Sequence, residues 1–378
     1  MSAQGIVFKG KRPVWEQTTV SLLTQMASAL FLLVLAVAPA VAQEDWTDRV
    51  SFKGDVRLRY EAIDEDGEED RNRMRFRARF GLNAKVSDDV NFVFQLASGG
   101  DNPVSTNQTF DDGFSTKDIG VDLAYVDWKI RDGLNFYGGK MKNPLYKAGG
   151  VPLVWDSDLN PEGLAMKFTS GGFFGTAGGF SVEERSSSDD SLLFVVQAGY
   201  KFAVGENASL TTGAGYFEYT NTVGNEPFYN GSAKGNTVDI NGNYVYDYRN
   251  TEVFAQFDTK VGDWPLKIYA HAVQNSEVSV EDTGYAVGAK IGSATNDGDM
   301  EFSWTFQDIE ADAVIGTYND SDFGGGGADS DGHLLKAKYA VSKKIILGGT
   351  LMLNDVDRFQ GTEHDYSRLQ LDVEFKIN

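Results

Sequence analysis

Apolar and polar side chains alternate along residues 71–86. The apolar ones occupy every second position: Met74, Phe76, Ala78, Phe80, Leu82, Ala84 and Val86. Most positions between them are polar, and four are arginines: Arg73, Arg75, Arg77 and Arg79. Only a strand places alternate residues on opposite faces, because a helix repeats every 3.6 residues. The segment is therefore predicted to be a β-strand with one apolar face and one charged face.

The same two-residue repeat continues along the chain. About sixteen segments show it, and each is near the ~10 residues that a tilted membrane-spanning strand needs. They are 51–61, 71–86, 89–98, 120–131, 134–142, 162–170, 172–183, 191–203, 207–220, 250–262, 265–276, 281–294, 298–309, 331–341, 343–355 and 364–378. Alternation alone does not separate a soluble sheet from a membrane one, so the connections must decide.

Long and short connections alternate. The short turns have one to three residues, and the long segments are 62–70, 99–119, 143–161, 184–190, 221–249, 277–280, 310–330 and 356–363. A transmembrane barrel has short turns at one end and longer loops at the other, with an even number of strands. A soluble sandwich or propeller has no reason to keep loop length in phase with strand order. We therefore predict an all-β fold, a transmembrane antiparallel β-barrel of about sixteen strands.

Residues 1–42 differ in kind from the rest. Lys9, Lys11 and Arg12 precede an apolar stretch from Ala29 to Ala42 that ends in small residues. This pattern predicts a secretory signal peptide cleaved before Gln43. Its apolar run is shorter than the roughly 20 residues of a membrane-spanning helix. We expect 1–42 to be removed and 43–378 to form one outer-membrane barrel domain, surrounded by lipid.

Charge and composition narrow the partners further. The chain has 55 acidic and 34 basic residues, a net charge of −21, and loss of the three basic and one acidic residues of 1–42 brings it to −23. Nucleic acid is excluded, because phosphate binding needs a positive field. The absence of cysteine excludes disulfides, thiol chemistry and Cys-type metal sites. The 42 glycines, 25 phenylalanines and 16 tyrosines suit the turns and aromatic girdles of a barrel.

Six arginines share the polar face of the first two predicted strands. They are Arg57, Arg59, Arg73, Arg75, Arg77 and Arg79. An arginine facing lipid at mid-bilayer would cost about 2–4 kcal/mol, so we expect all six to line the pore. They could form a positive lane that draws anions. They could equally pair with acidic residues of a loop that folds inward and stiffen the wall. Both interpretations stay open.

The long loop 143–161 is the second candidate for a functional element. It contains Trp155, Asp156 and Asp158. If it folds into the lumen, it would narrow the channel and set carboxylates opposite the arginines, which gives a transverse field across the constriction. The alternative is an external loop whose acidic side chains are solvated.

Two segments around this loop resemble the bacterial outer-membrane porin family related to phosphate-selective porins. They are Gly139-Lys140-Met141-Lys142-Asn143-Pro144-Leu145-Tyr146 and Trp155-Asp156-Ser157-Asp158-Leu159-Asn160-Pro161-Glu162-Gly163-Leu164-Ala165. In such porins, a strand ending in Gly-Lys near a proline is followed by a loop and an Asp-Leu-rich return. The resemblance implies an outer-membrane channel, a homotrimer, that lets small hydrophilic solutes or ions diffuse passively. Lys140 and Lys142 match the basic strand end, and Asp156 and Asp158 match the acidic return.

Enzymatic and metal-binding functions find little support. His271, His333 and His364 lie on different predicted strands, and the chain has no Gly-x-Ser-x-Gly segment. The acidic clusters lack the spacing of a twelve-residue calcium loop. We expect no catalytic residue, metal or cofactor. Two alternatives remain: a plugged outer-membrane barrel with a structural or adhesive role, and a secreted soluble β-protein.

Overall fold

The computed structural model describes residues 46–359 and 361–377. The predicted signal peptide, 1–42, and its cleavage site lie outside the described residues. The division of the chain into 1–42 and 43–378 therefore stays a prediction.

Sixteen long strands and one two-residue strand make up the sheet of the described residues. They are β1 Val50–Glu65, β2 Arg71–Lys85, β3 Val90–Ser98, β4 Gln108–Thr109, β5 Ile119–Arg131, β6 Leu134–Lys140, β7 Glu162–Ser170, β8 Phe173–Glu183, β9 Ser191–Val204, β10 Ala208–Tyr219, β11 Arg249–Val261, β12 Trp264–Asn275, β13 Thr283–Gly292, β14 Met300–Ile309, β15 Ser330–Ser342, β16 Ile345–Val356 and β17 His364–Ile377. Short 3-10 turns occur at Trp46–Asp48, Asp112–Phe114, Ala148–Gly150, Gly316–Tyr318 and Phe323–Gly325.

The sheet closes on itself. Each long strand pairs antiparallel with the next long strand in the chain, and β1 pairs with β17, where Arg59 lies opposite Asp372. The predicted antiparallel barrel of about sixteen strands is confirmed. The short strand β4 was not foreseen. It pairs with β2 at Arg75 and Phe76, beyond the part of β2 that β3 covers, and so satisfies backbone groups there.

The two faces of the wall follow the alternation. Apolar side chains such as Phe80, Val196 and Leu371 project outward and stay half exposed. Exposed apolar surface repeated on most of the long strands fits hydrocarbon surroundings.

Among residues 46–359 and 361–377, no helix has the length and apolar character needed to cross a membrane.

Three long loops pack inside the barrel rather than away from it. We name them L3 (141–161), L5 (220–248) and L7 (310–329). Tyr146 of L3 packs on Phe174 of β8 and Phe254 of β11, with 5.2 Å between ring centroids in each pair. Phe228 of L5 stacks on Tyr318 of L7 at 5.8 Å. The main apolar core therefore lies between these loops and the inner faces of β8 to β14.

Candidate functional site

Strand register brings the predicted arginines together on the inner wall. Arg57 lies opposite Arg77, and Arg59 lies opposite Arg75, across the β1–β2 pairing. Arg368 of β17 joins them. Arg368 was not among the predicted pore-lining residues, because β17 meets β1 only when the barrel closes. The alternation of β17 nevertheless places Arg368 on the same inward face as the six predicted arginines. We call these seven residues the arginine strip: Arg57, Arg59, Arg73, Arg75, Arg77, Arg79 and Arg368.

A buried carboxylate, Glu61, lies at the centre of the arginine strip. Its oxygens accept hydrogen bonds from Arg73 Nε at 2.5 Å, from Arg368 Nη2 at 3.2 Å and from Arg75 Nη1 at 3.4 Å. The Glu61 side chain has no exposed surface. Arginines facing each other across a strand pair repel, so this carboxylate is needed to hold them together.

Further wall carboxylates pair with the ends of the arginine strip. Arg59 Nε donates to Asp372 at 2.7 Å, and Arg77 Nη2 donates to Asp55 at 3.0 Å. Asp55 also accepts hydrogen bonds from Nε and Nη2 of Arg79. Asp55, Glu61 and Asp372 occupy inward positions of the same alternation, so strand parity could have identified them. None of the three was predicted to be a partner of the arginines.

The inward loops add two more acidic partners. Asp322 of L7 lies 3.0 Å from Arg59 Nη1 and 3.0 Å from Arg368 Nη2. Burial would raise the pKa of Asp322, but the charges of Arg368 and Arg59 outweigh it and hold that pKa well below its usual range. Asp158 of L3 lies 3.9 Å from Arg79 Nη1. The structure thus contains the loop-to-wall pairing that was one of the two interpretations of the arginines.

Arg57 differs from the other members of the arginine strip. Its Nη2 donates to Asn107 Oδ1 at 2.7 Å, and its Nε is buried without a hydrogen-bond partner. Within residues 46–359 and 361–377, no carboxylate oxygen lies within 4.0 Å of its guanidinium nitrogens. Within the arginine strip, the charge of Arg57 is therefore the one least compensated by a direct partner.

L3 is anchored by Trp155. The indole Nε1 donates to the Tyr219 hydroxyl at 2.8 Å, and the ring makes edge contacts with Phe180 and Phe217 at 6.1 and 5.8 Å. At the far end of the loop, the Gly149 amide donates to Gln256 Oε1 at 2.8 Å. A Cβ at Gly149 would meet the Tyr269 ring at 2.5 Å, so L3 lies directly on the wall.

The two predicted acidic residues of L3 have different surroundings. Asp158 faces Arg79, whereas the Asp156 carboxylate accepts the backbone amides of Asp158 and Ser321 at 2.6 and 2.9 Å. Asp156 therefore ties L3 to L7. Burial, with the charges of Asp320 and Asp158 second, raises the pKa of Asp156 well above its ordinary value.

The predicted lysines do not join the arginine strip. Lys140 donates to Glu162 at 2.9 Å and to the Asn160 carbonyl at 3.3 Å, and Lys142 is exposed. A lysine that the sequence analysis passed over, Lys147, donates to the carbonyls of Trp155 and Asp156 at 2.7 and 2.9 Å. Burial lowers the pKa of Lys147 to about 8.

A cavity of about 1080 Å³ opens at the loop end of the barrel. It lies between residues 99–106, the start of β5 and L3 on one side and the loop ends of β8, β9 and β10 on the other. We call it the vestibule. Asp158 lines the vestibule and also contacts Arg79, so this carboxylate joins the two features.

On the side of the lumen opposite the arginine strip, aromatic side chains and loops pack together and close the space. Inward residues of β8 to β12, among them Phe180, Phe217, Phe254 and Tyr269, are buried under L3 and L5. We call this region the aromatic half. A buried hydrogen bond within it joins His271 Nε2 and Glu252 Oε2 at 2.8 Å. The described residues contain no group of three or more His, Cys, Asp or Glu side chains arranged to hold a metal ion.

A family model described as "Putative porin" matches residues 63–243 and 232–377. Together these ranges cover most of the barrel. No curated protein matches the sequence.

Solved bacterial porins share the fold. OprB of Pseudomonas putida is 13% identical, with a TM-score of 0.59 over 88% of this chain and 95% of that one. A mutant of the Rh. blastica porin is 11% identical, with a TM-score of 0.51 over 87% of this chain and 100% of that one. At these identities the likeness shows the fold alone.

Proposed function

The chain belongs to the family described as putative porins, and from that premise we propose that solutes cross it along the arginine strip, past the contact between Asp158 and Arg79. The protein is an outer-membrane channel for small solutes. The finer proposal concerns the route through the lumen and the residues that select among solutes. It requires no catalytic residue, cofactor or metal.

One observation carries the proposed route. Asp158 lines the vestibule on one side and lies 3.9 Å from Arg79 on the other, and about a quarter of each side chain is exposed, 21% and 27%. Water therefore reaches both groups. In the aromatic half, by contrast, L3 and L5 bury the inner face of the wall. This leaves the charged side for hydrated solutes.

Opposite charges meet beside this route. Asp158 and Asp322 come from loops, and the arginines come from the wall. Such an arrangement produces a transverse field, which orients polar solutes without requiring a large net charge. The anion preference that the arginines suggested remains a prediction, and the ion pairs leave Arg57 as its main carrier.

Single-channel recording in a planar bilayer tests the route. We expect discrete open steps from the purified barrel, and Asp158→Asn should shift the reversal potential in a KCl gradient towards anions, because it removes the carboxylate beside Arg79. Glu206→Gln, on a short turn at the other end of the barrel, serves as the control and should leave the potential unchanged. The proposal fails if no open steps occur, and the route fails if both variants behave like the parent.

A plugged structural barrel is the second candidate. The packing of L3, L5 and L7 against β8 to β14 favours it, because these loops fill much of the lumen. The same recordings separate the two functions, since a plugged barrel conducts no ions in any variant.

Export and assembly are further parts of the proposal. We expect a signal peptide at 1–42 because of the residue pattern of that segment. We also expect surrounding outer-membrane lipid and a homotrimer, as the family resemblance implies. The protein should require detergent for extraction, and its gel mobility should change on heating. A protein that stays folded and dissolved in plain buffer would contradict the proposed location.

A further inference from the structure

The vestibule has a strong excess of negative charge. Seven carboxylates line it, against a single lysine, Lys140. The acidic residues are Asp101, Asp118, Asp122, Asp158, Glu162, Glu183 and Glu184. A cleft lined by one sign of charge between low-dielectric walls concentrates ions of the opposite sign.

Three of these seven carboxylates have a cationic partner. Lys140 pairs with Glu162 at 2.9 Å, Arg185 pairs with Glu183 at 3.4 Å, and Arg79 lies 3.9 Å from Asp158. Within the described part of the chain, the side chains of Asp118 and Glu184 form no hydrogen bond or ion pair. Their negative charges are therefore available to a ligand.

Asp122 is held in place by neutral groups. Its two oxygens accept hydrogen bonds from the amides of Gln95 and Asn160, each at 2.6 Å. Neutral donors orient this carboxylate without cancelling its charge.

Aromatic rings form another part of the vestibule lining. Tyr219 and Tyr318 stack with 6.5 Å between ring centroids and 22° between planes. The hydrogen bond from Trp155 to the Tyr219 hydroxyl fixes this arrangement. The hydroxyl of Tyr318 has no hydrogen-bond partner among the described side chains. Part of the Tyr318 side chain stays exposed in the vestibule, so it supplies apolar contact that carboxylates alone do not.

We propose that the vestibule binds small organic cations, each an ammonium or guanidinium group attached to an apolar body, before they pass Asp158. This inference rests on the proposed channel function and names a class of solute for it. The cavity is as large as a site for a small molecule, which typically has about 300–1,000 Å³. An inorganic anion would meet repulsion from the acidic residues, and a neutral solute would use the rings but not the charges.

Blocking experiments in planar bilayers test the site. The probe is benzylammonium, compared with benzyl alcohol of similar shape without charge, benzoate of opposite charge, and methylammonium, which has the charge but no ring. Benzylammonium added at the loop end should interrupt the current in a concentration-dependent way. Benzyl alcohol and benzoate should not, and methylammonium should block more weakly.

The double variant Asp118→Asn/Glu184→Gln removes two charges without removing any contact. It should weaken the benzylammonium block by about tenfold, because two attractive charges are lost. Glu206→Gln at the opposite end of the barrel is the matched control, and benzylammonium should block it as strongly as it blocks the parent. Open steps with no selective benzylammonium block, or equal block in the double variant, would overturn the inference, whereas absence of all open steps would overturn the channel function itself.

Discussion

The arginine strip and the aromatic half are built on the same alternation of residues but are stabilised by different means. In the arginine strip, most charges find partners in the wall itself, as Arg59 does in Asp372 and Arg77 in Asp55. In the aromatic half, Phe217 packs on Trp155 and Phe254 packs on Tyr146, and both partners belong to L3. A charged wall can therefore satisfy its own side chains by ion pairing, while an apolar wall must be covered.

This difference has a functional meaning. Loops that cover apolar rings also fill one side of the lumen, and for this reason the proposed route follows the charged side. The aromatic packing of Trp155 and Tyr146 thus determines where L3 lies, and the position of L3 determines how close Asp158 comes to Arg79.

The largest effect is expected at the centre of the arginine strip. Glu61→Gln leaves Arg73, Arg75 and Arg368 without their buried carboxylate and should destabilise the barrel by about 3–5 kcal/mol. Urea titration of unfolding in detergent measures it. Asp88→Asn, which removes the exposed pair with Lys85, is the control and should leave the midpoint unchanged. An unchanged midpoint for Glu61→Gln would mean that the charged side is not held by its internal pairs.

The next effect concerns the aromatic half. Trp155→Ala removes a buried ring and its hydrogen bond to Tyr219, a loss of about 3–5 kcal/mol of local packing. L3 should leave the wall, so the single-channel conductance should rise. Trp128→Ala, which changes an outward-facing ring, is the control. Equal conductance in all three proteins would show that Trp155 does not hold the loop.

A smaller effect should follow from pH at the junction of L3 and L7. Because the pKa of Asp156 is raised in the folded protein, its stabilising contribution is complete below the ordinary value of 3.8 and is lost as pH rises through the raised value. Open-channel current noise should therefore increase as pH rises above about 4, and recordings kept below the pKa near 8 of Lys147 leave that lysine protonated. The charges around the Asp156 carboxylate are those of Asp320, Asp158 and Lys147. Asp156→Asn should reduce this pH dependence, and an identical dependence in both proteins would rule out Asp156 as its source.

The smallest effect is expected at Arg57. Arg57→Gln removes one charge that has no direct acidic partner, so the reversal potential in a KCl gradient should shift slightly towards cations. Arg131→Gln, at the exposed turn end of β5, is the control. A shift of equal size in both variants would indicate a general charge effect and remove the argument for an anion preference at Arg57.

The amino-acid sequence alone determined the strands, their two faces and the inward direction of the arginines. Alternation is a local property of an extended backbone, so it can be read without knowing what the strand packs against. The same reasoning applies to Asp55 and Glu61, whose positions share the parity of Arg57 and Arg59.

Only the tertiary structure decided which charges meet and which side of the lumen stays open. Arg59 and Asp372 are 313 residues apart in the chain and become neighbours when β17 closes the barrel onto β1. Likewise, Trp155 of L3 reaches Tyr219, 64 residues away. Local periodicity contains no information about such pairings, because they depend on how closure and loop packing bring distant segments into contact.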